Sequence, residues 1–140
     1  MYLLPGEECM FTGDEDWLTW KFRLARNHDF PPEWKGYVQF VICDATCPRE
    51  RRPIQCRSFP LAPYLDEEGN LGVTLDTLTG SLICPLVRSP EKHELSAKFV
   101  ESVLEAWRIL IKDPLIRVDV FRQSRRLDED REAPWRALLK

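Results

Sequence analysis

Five cysteines, at positions 9, 43, 47, 56 and 84, are the side chains of this sequence best suited to chemistry. Four of them form the pattern Cys43-x3-Cys47-x8-Cys56-x27-Cys84. Thiolates bind soft and borderline cations, and two of them a few residues apart can grip one ion from a single tight turn. The intervals match neither of the common ferredoxin patterns. The spacing is compatible with a closed Zn²⁺ site on Cys43, Cys47, Cys56 and Cys84, and also with an iron–sulfur cluster on the same four thiolates. Cys9, alone near the N-terminus, reads as a small buried apolar residue.

The surrounding charge supports an anionic centre. Four thiolates around Zn²⁺ form a dianion, as they do around an oxidised two- or four-iron cluster. Burying that charge is costly unless cations and donors lie close. Arg49, Arg51, Arg52 and Arg57 fall inside residues 43–63, which are net +2, whereas residues 1–42 are net −3 and residues 64–94 net −4. Such guanidinium groups are what thiolate ligands need around them, but they suit zinc and iron–sulfur equally. Pro48 follows Cys47, Pro85 follows Cys84, and Pro53 lies three residues before Cys56. Proline stiffens the backbone in advance and so reduces the entropy lost on ordering a site.

The run from Cys43 to Leu61 resembles the YkgJ-type cysteine-cluster proteins, bacterial and archaeal proteins described as zinc- or iron-chelating. Their pattern has two cysteines, then Arg-Pro, a third cysteine followed by Arg, and Phe-Pro. Here Cys43, Cys47, Arg52, Pro53, Cys56, Arg57, Phe59 and Pro60 fill it. The resemblance covers about 20 residues and implies metal binding without a defined reaction. The family's N-terminal group of clustered cysteines is missing, and only Cys9 stands there. Some relatives are linked to protein methylation, so a protein-modifying enzyme or its accessory subunit is a further alternative. No cofactor-binding loop accompanies it, and no catalytic residue is assigned.

Other catalytic constellations are weak. His28 sits beside Asn27 and Asp29 and reads as a turn residue. His93 lies in a polar stretch that suits a solvated helix start. Glu67 and Glu68 read as turn charges. Phosphate-cradling glycine loops are absent. The pI near 5.5 argues against general nucleic-acid binding. No apolar run approaches the ~18 residues a membrane span requires. The N-terminus lacks the features of a secretory signal. The odd cysteine count fits a reducing, cytoplasmic setting better than a disulfide framework. An unknown protein partner is possible, with Arg122–Arg126 as one basic surface; oligomeric state is left open.

The elements that must position the cysteines follow from pattern. A chain of 140 residues, 44% apolar and 31% charged, suits one domain over 1–140 with a real core. Eleven prolines against six glycines predict stiff, irregular connections. Tyr37 to Cys43 is β-branched and aromatic, apolar on both faces, and reads as a central strand delivering Cys43 at its end. Trp17 to Leu24 fits a strand or a short helix. Phe30 to Glu33 is a stiff loop. The proline-rich stretch from Cys47 to Pro63 allows at most a short helix with Pro53 in its first turn. Asp66 to Asn70 is a turn, Leu71 to Leu75 a possible strand, and Thr79-Gly80 a second turn. Apolar residues at Leu95, Phe99, Val103, Trp107 and Leu110 mark an amphipathic helix over 95–112, capped by Ser89 or Ser96 and ended or kinked by Pro114. A shorter helix over 115–126 follows, then a polar linker and a tail over 128–140 that is either docked or flexible. The expected fold is α+β: a short sheet around 37–43 and 71–84, packed on the 95–112 helix, with a proline-rich, metal-binding cysteine loop.

Overall fold

The computed structural model describes residues 1–28, 30–43, 47–89 and 94–132, with the Ser81 side chain left out. His93 and the tail beyond 132 lie outside the described residues. The chain is α+β, with two short antiparallel sheets and a long C-terminal helix. It divides into two compact units, residues 1–57 and 58–140.

The first unit is built on a hairpin of β1 (Leu18–Leu24) and β2 (Tyr37–Cys43), in register Leu18↔Cys43 through Leu24↔Tyr37. Within the run Trp17 to Leu24, Leu18–Leu24 thus resolves as strand. Its bulky Trp20 and Phe22 suit a pleated surface, where aromatic side chains pack on their cross-strand neighbours. Residues 1–3 pair with the free edge of β2: Leu3 N donates to Gln39 O at 2.8 Å and Val41 N to Met1 O at 2.8 Å. β2 is therefore central, as its two apolar faces predict. Leu3, Leu18 and Val41 form a buried cluster, against which Phe11, Trp17 and Trp20 pack. The unit closes with α1 (Ile54–Ser58), whose last residue opens the second unit. The short helix expected after Pro53 is present.

The second unit pairs β3 (Leu61–Leu65) with β4 (Leu71–Leu75). Asp66 turns the chain between them: its carboxylate accepts from Asn70 N at 2.7 Å and Asn70 Nδ2 at 2.9 Å. Then come α2 (Thr77–Ile83), α3 (Pro85–Arg88), α4 (Ala97–Leu110) and α5 (Pro114–Glu132). Helix α4 packs on β3 and β4, and α5 on β3. Leu61, Leu65, Val103, Trp107, Ile116, Val120 and Leu127 are buried. Two serines tie this core internally. Trp107 Nε1 donates to Ser58 Oγ at 3.0 Å, and Ser124 Oγ accepts from Leu65 N at 2.9 Å while donating to Val120 O at 2.8 Å. Ser96 caps α4 by accepting from Phe99 N at 3.2 Å.

Four expectations need correction. The strands at 37–43 and 71–75 belong to separate sheets in separate units. Residues 77–83 are helical: Asp76 Oδ1 accepts from Thr79 N at 3.0 Å as an N-cap. Gly80 is not a turn residue but a contact point, since a Cβ there would lie 2.6 Å from Val87 Cγ2. The stretch 61–65 is a strand despite Pro63, because each strand of a two-stranded sheet has an outer edge where a missing donor costs nothing. Finally, α5 runs through 128–132 instead of ending near 126. There Asp128 pairs with Arg125 at 3.2 Å and Arg131 at 3.8 Å, and Thr77 Oγ1 donates to Asp130 at 3.1 Å. No described helix is long and apolar enough to cross a membrane.

Candidate functional site

Strand β2 ends on Cys43, which is exposed, and Cys47 opens the next described segment, half-buried. Their thiols are joined by a side-chain hydrogen bond. A 3-10 turn over Arg49–Arg51 then leads to Arg52, whose Nε donates to Cys47 Sγ at 3.1 Å and whose Nη2 reaches Cys47 O at 3.5 Å. Helix α1 carries Cys56, whose thiol donates to Met1 Sδ at 3.5 Å. The three thiols are close enough to bias one another's ionisation.

Those biases differ in sign. Partial burial resists ionisation of Cys47, but the Cys43 hydrogen bond and the Arg52 guanidinium outweigh it, so the thiol lies below its ordinary range. Cys56 is pushed up, first by burial and then by the negative charge of Cys47, against the weaker pull of the Met1 ammonium and Arg52. Cys47 therefore ionises more readily than Cys56, which does so only with compensation.

Two carboxylates hold this segment in place. Glu7, buried in a 3-10 turn over Glu7–Met10, accepts from Leu4 N at 3.0 Å and from Ile54 N at 2.5 Å. The second bond serves the first turn of α1, whose leading N–H groups have no helical acceptor. Burial raises the Glu7 pKa, opposed by the Ile54 and Leu4 N–H groups. Glu15 accepts from Thr12 N at 2.8 Å, Thr12 Oγ1 at 3.1 Å and Gly13 N at 2.9 Å, and pairs with Arg51 Nη2 at 2.6 Å. Hydrogen bonding, led by Thr12 N–H, lowers its pKa. Neither role is legible from sequence, because the bond each carboxylate makes to the cysteine segment spans more than 35 residues.

Of the expected ligands, Cys43, Cys47 and Cys56 are neighbours in the first unit. Cys84 lies in the second unit, buried between α2 and α3 at the N-cap of α3. Cys9 is exposed, not buried as expected, because its turn lies at the surface. None of the five cysteines forms a disulfide among the described residues. Among the described residues, no group of three or more His, Cys, Asp or Glu side chains is arranged to hold a metal ion. Cys43, Cys47 and Cys56 are the soft sulfur donors that could take part in binding a thiophilic cation. Comparison with protein-family models, curated proteins and solved structures gives no match.

Proposed function

We propose that this protein binds one thiophilic metal ion, zinc, at a site nucleated by Cys43 and Cys47 and joined by Cys56, in the manner of the cysteine-cluster proteins its 43–61 segment resembles. The role is structural: the ion would tie the end of β2 to the proline-rich segment and to α1, where there is little apolar core to do so. The observation that carries this reading is the paired Cys43 and Cys47 thiols with Arg52 on the Cys47 sulfur. A guanidinium there offsets thiolate charge before any ion arrives. Structural zinc takes four ligands, and Cys84, the fourth thiolate of the sequence pattern, is tested separately by Cys84→Ser.

Metal analysis of protein purified without added metal or chelator tests the proposal. About one equivalent of zinc, lost in Cys43→Ser and Cys47→Ser and reduced in Cys56→Ser, is expected. Zinc-free protein whose melting is indifferent to both added zinc and chelator would overturn it. A second reading rests on the same thiol pair: two hydrogen-bonded thiols, one of them acidified, also suit redox chemistry, with an iron–sulfur cluster as the related alternative. Anaerobic isolation separates these outcomes. A brown protein carrying iron and acid-labile sulfide replaces zinc with a cluster. Metal-free protein with a reversible Cys43–Cys47 disulfide favours the redox reading.

A further inference from the structure

The connection between β1 and β2 is far longer than a hairpin needs. It runs over residues 25–36, whereas two to five residues commonly suffice. The chain does not use that length as slack. Ala25 N donates to Gly36 O at 2.9 Å and closes the ends of the loop, and Trp34 N donates to Pro31 O at 2.9 Å and turns its tip. Gly36 leaves the loop at φ +85°, a conformation that suits glycine. Pro31 and Trp34 are buried.

This loop encloses an open cavity of about 580 Å³, within the range of small-molecule sites. Leu24, Phe30, Pro31 and Trp34 supply apolar wall, and Arg26 and Lys35 also line it. The wall is braced from behind. Tyr2 meets Phe30 edge-on at 4.8 Å and Trp34 at 5.8 Å, and Phe30 contacts Trp34 at 5.0 Å. Such an interlocked set fixes ring orientation before a ligand arrives. Arg26 and Lys35 are exposed, and neither forms an ion pair with a described carboxylate. No acidic side chain is among the described residues of the lining.

We infer that this cavity is a binding site for a small planar aromatic acid, its ring against Phe30 and Trp34 and its carboxylate between Arg26 and Lys35. Aromatic faces favour a flat apolar body, and two cations without an acidic neighbour in the described lining favour an anion at its edge. The inference is independent of the thiol site, which it neither uses nor requires.

The test uses the full chain, with 2-naphthoate as the probe and 2-naphthamide as its uncharged counterpart. Amide ¹H–¹⁵N spectra and calorimetry follow each titration. Saturable one-to-one binding of 2-naphthoate is expected, with shifts centred on residues 24–36 and an affinity at least ~10-fold above that of the amide. The double variant Arg26→Gln, Lys35→Gln removes only exposed charge, so it retains the fold and loses the preference for the acid. Phe30→Ala weakens both probes. Absence of saturation, shifts centred elsewhere, or equal binding of acid and amide by the unaltered protein would each overturn the assignment.

Discussion

Removing the Glu7 carboxylate orphans two backbone donors at once. Its two oxygens serve different partners, Leu4 N and Ile54 N, at 3.0 and 2.5 Å. A buried donor left without an acceptor costs about 1–3 kcal/mol. The Leu4 bond is fully buried and belongs near the top of that range; the Ile54 bond is partly buried and belongs lower. The raised pKa shows that burying the charge costs more than these bonds return, so Glu7→Ala also relieves a penalty. A net loss of about 2–3 kcal/mol is expected for Glu7→Ala. Glu7→Gln keeps one acceptor oxygen and turns an amide N–H towards the other donor, so it should lose about half as much. Urea denaturation followed by circular dichroism ranks the three proteins. The pH dependence is a second readout. A carboxyl whose folded pKa is raised stabilises the fold fully below its unfolded value, near 4.5, and loses that contribution as pH rises through the folded value. That component should vanish in Glu7→Gln. Wild-type stability in Glu7→Ala, or an unchanged pH profile in Glu7→Gln, would refute the assignment of Glu7 as the anchor of α1.

Glu15 should act in the opposite pH direction. Its lowered pKa stabilises the fold above the ordinary glutamate range and is lost as pH falls through the folded value, so Glu15→Gln should flatten acid unfolding below pH ~4.5, measured by denaturation across pH. Ser124→Ala should cost about 1–3 kcal/mol in denaturant melts, because Leu65 N then lacks its acceptor inside the core. In metal-free protein, Arg52→Gln should slow alkylation of Cys47 near neutral pH and move its pH profile upwards, read by mass spectrometry of iodoacetamide-treated protein. An unchanged profile would show that Arg52 does not control that thiol.

What was legible in the sequence was the local part of the fold. β2, the helix from Ala97 to Leu110, its Ser96 cap, the Asp66 turn and the short helix after Pro53 follow from periodicity, capping and turn chemistry over a few residues. Misreadings occurred where a distant partner decides. Thr79-Gly80 looks like a turn until Val87 is placed against Gly80, and Pro63 looks like a breaker until its strand is seen in a two-stranded sheet. The polar run 128–132 reads as linker because its helical support comes from Arg125, Arg131 and Thr77. At the candidate site, the cysteines and Arg52 stand out by type and spacing. Glu7 and Glu15 do not, since nothing in either acidic residue announces a backbone N–H or a guanidinium more than 35 positions away.

The allocation of the arginines sharpens what the thiol site requires. Charge counting assigns all four guanidinium groups of the 43–63 segment to the thiolates. The structure divides them differently: Arg52 contacts the Cys47 sulfur, Arg51 pairs with Glu15, and the Arg57 charge acts on Glu7. Much of the positive charge thus answers the acidic N-terminal segment, whose carboxylates position the cysteine segment. The Arg51–Glu15 pair is a direct link between residues 1–42, net −3, and residues 43–63, net +2. A thiolate centre here draws on one guanidinium in direct contact and on the Met1 ammonium near Cys56. That compensation does not overcome the burial of Cys56 and the charge of Cys47 beside it, whereas at Cys47 the Cys43 and Arg52 contacts outweigh burial. In the site proposed above, a divalent cation would supply further positive charge, since coordination would displace the thiol protons and offset part of the thiolate charge.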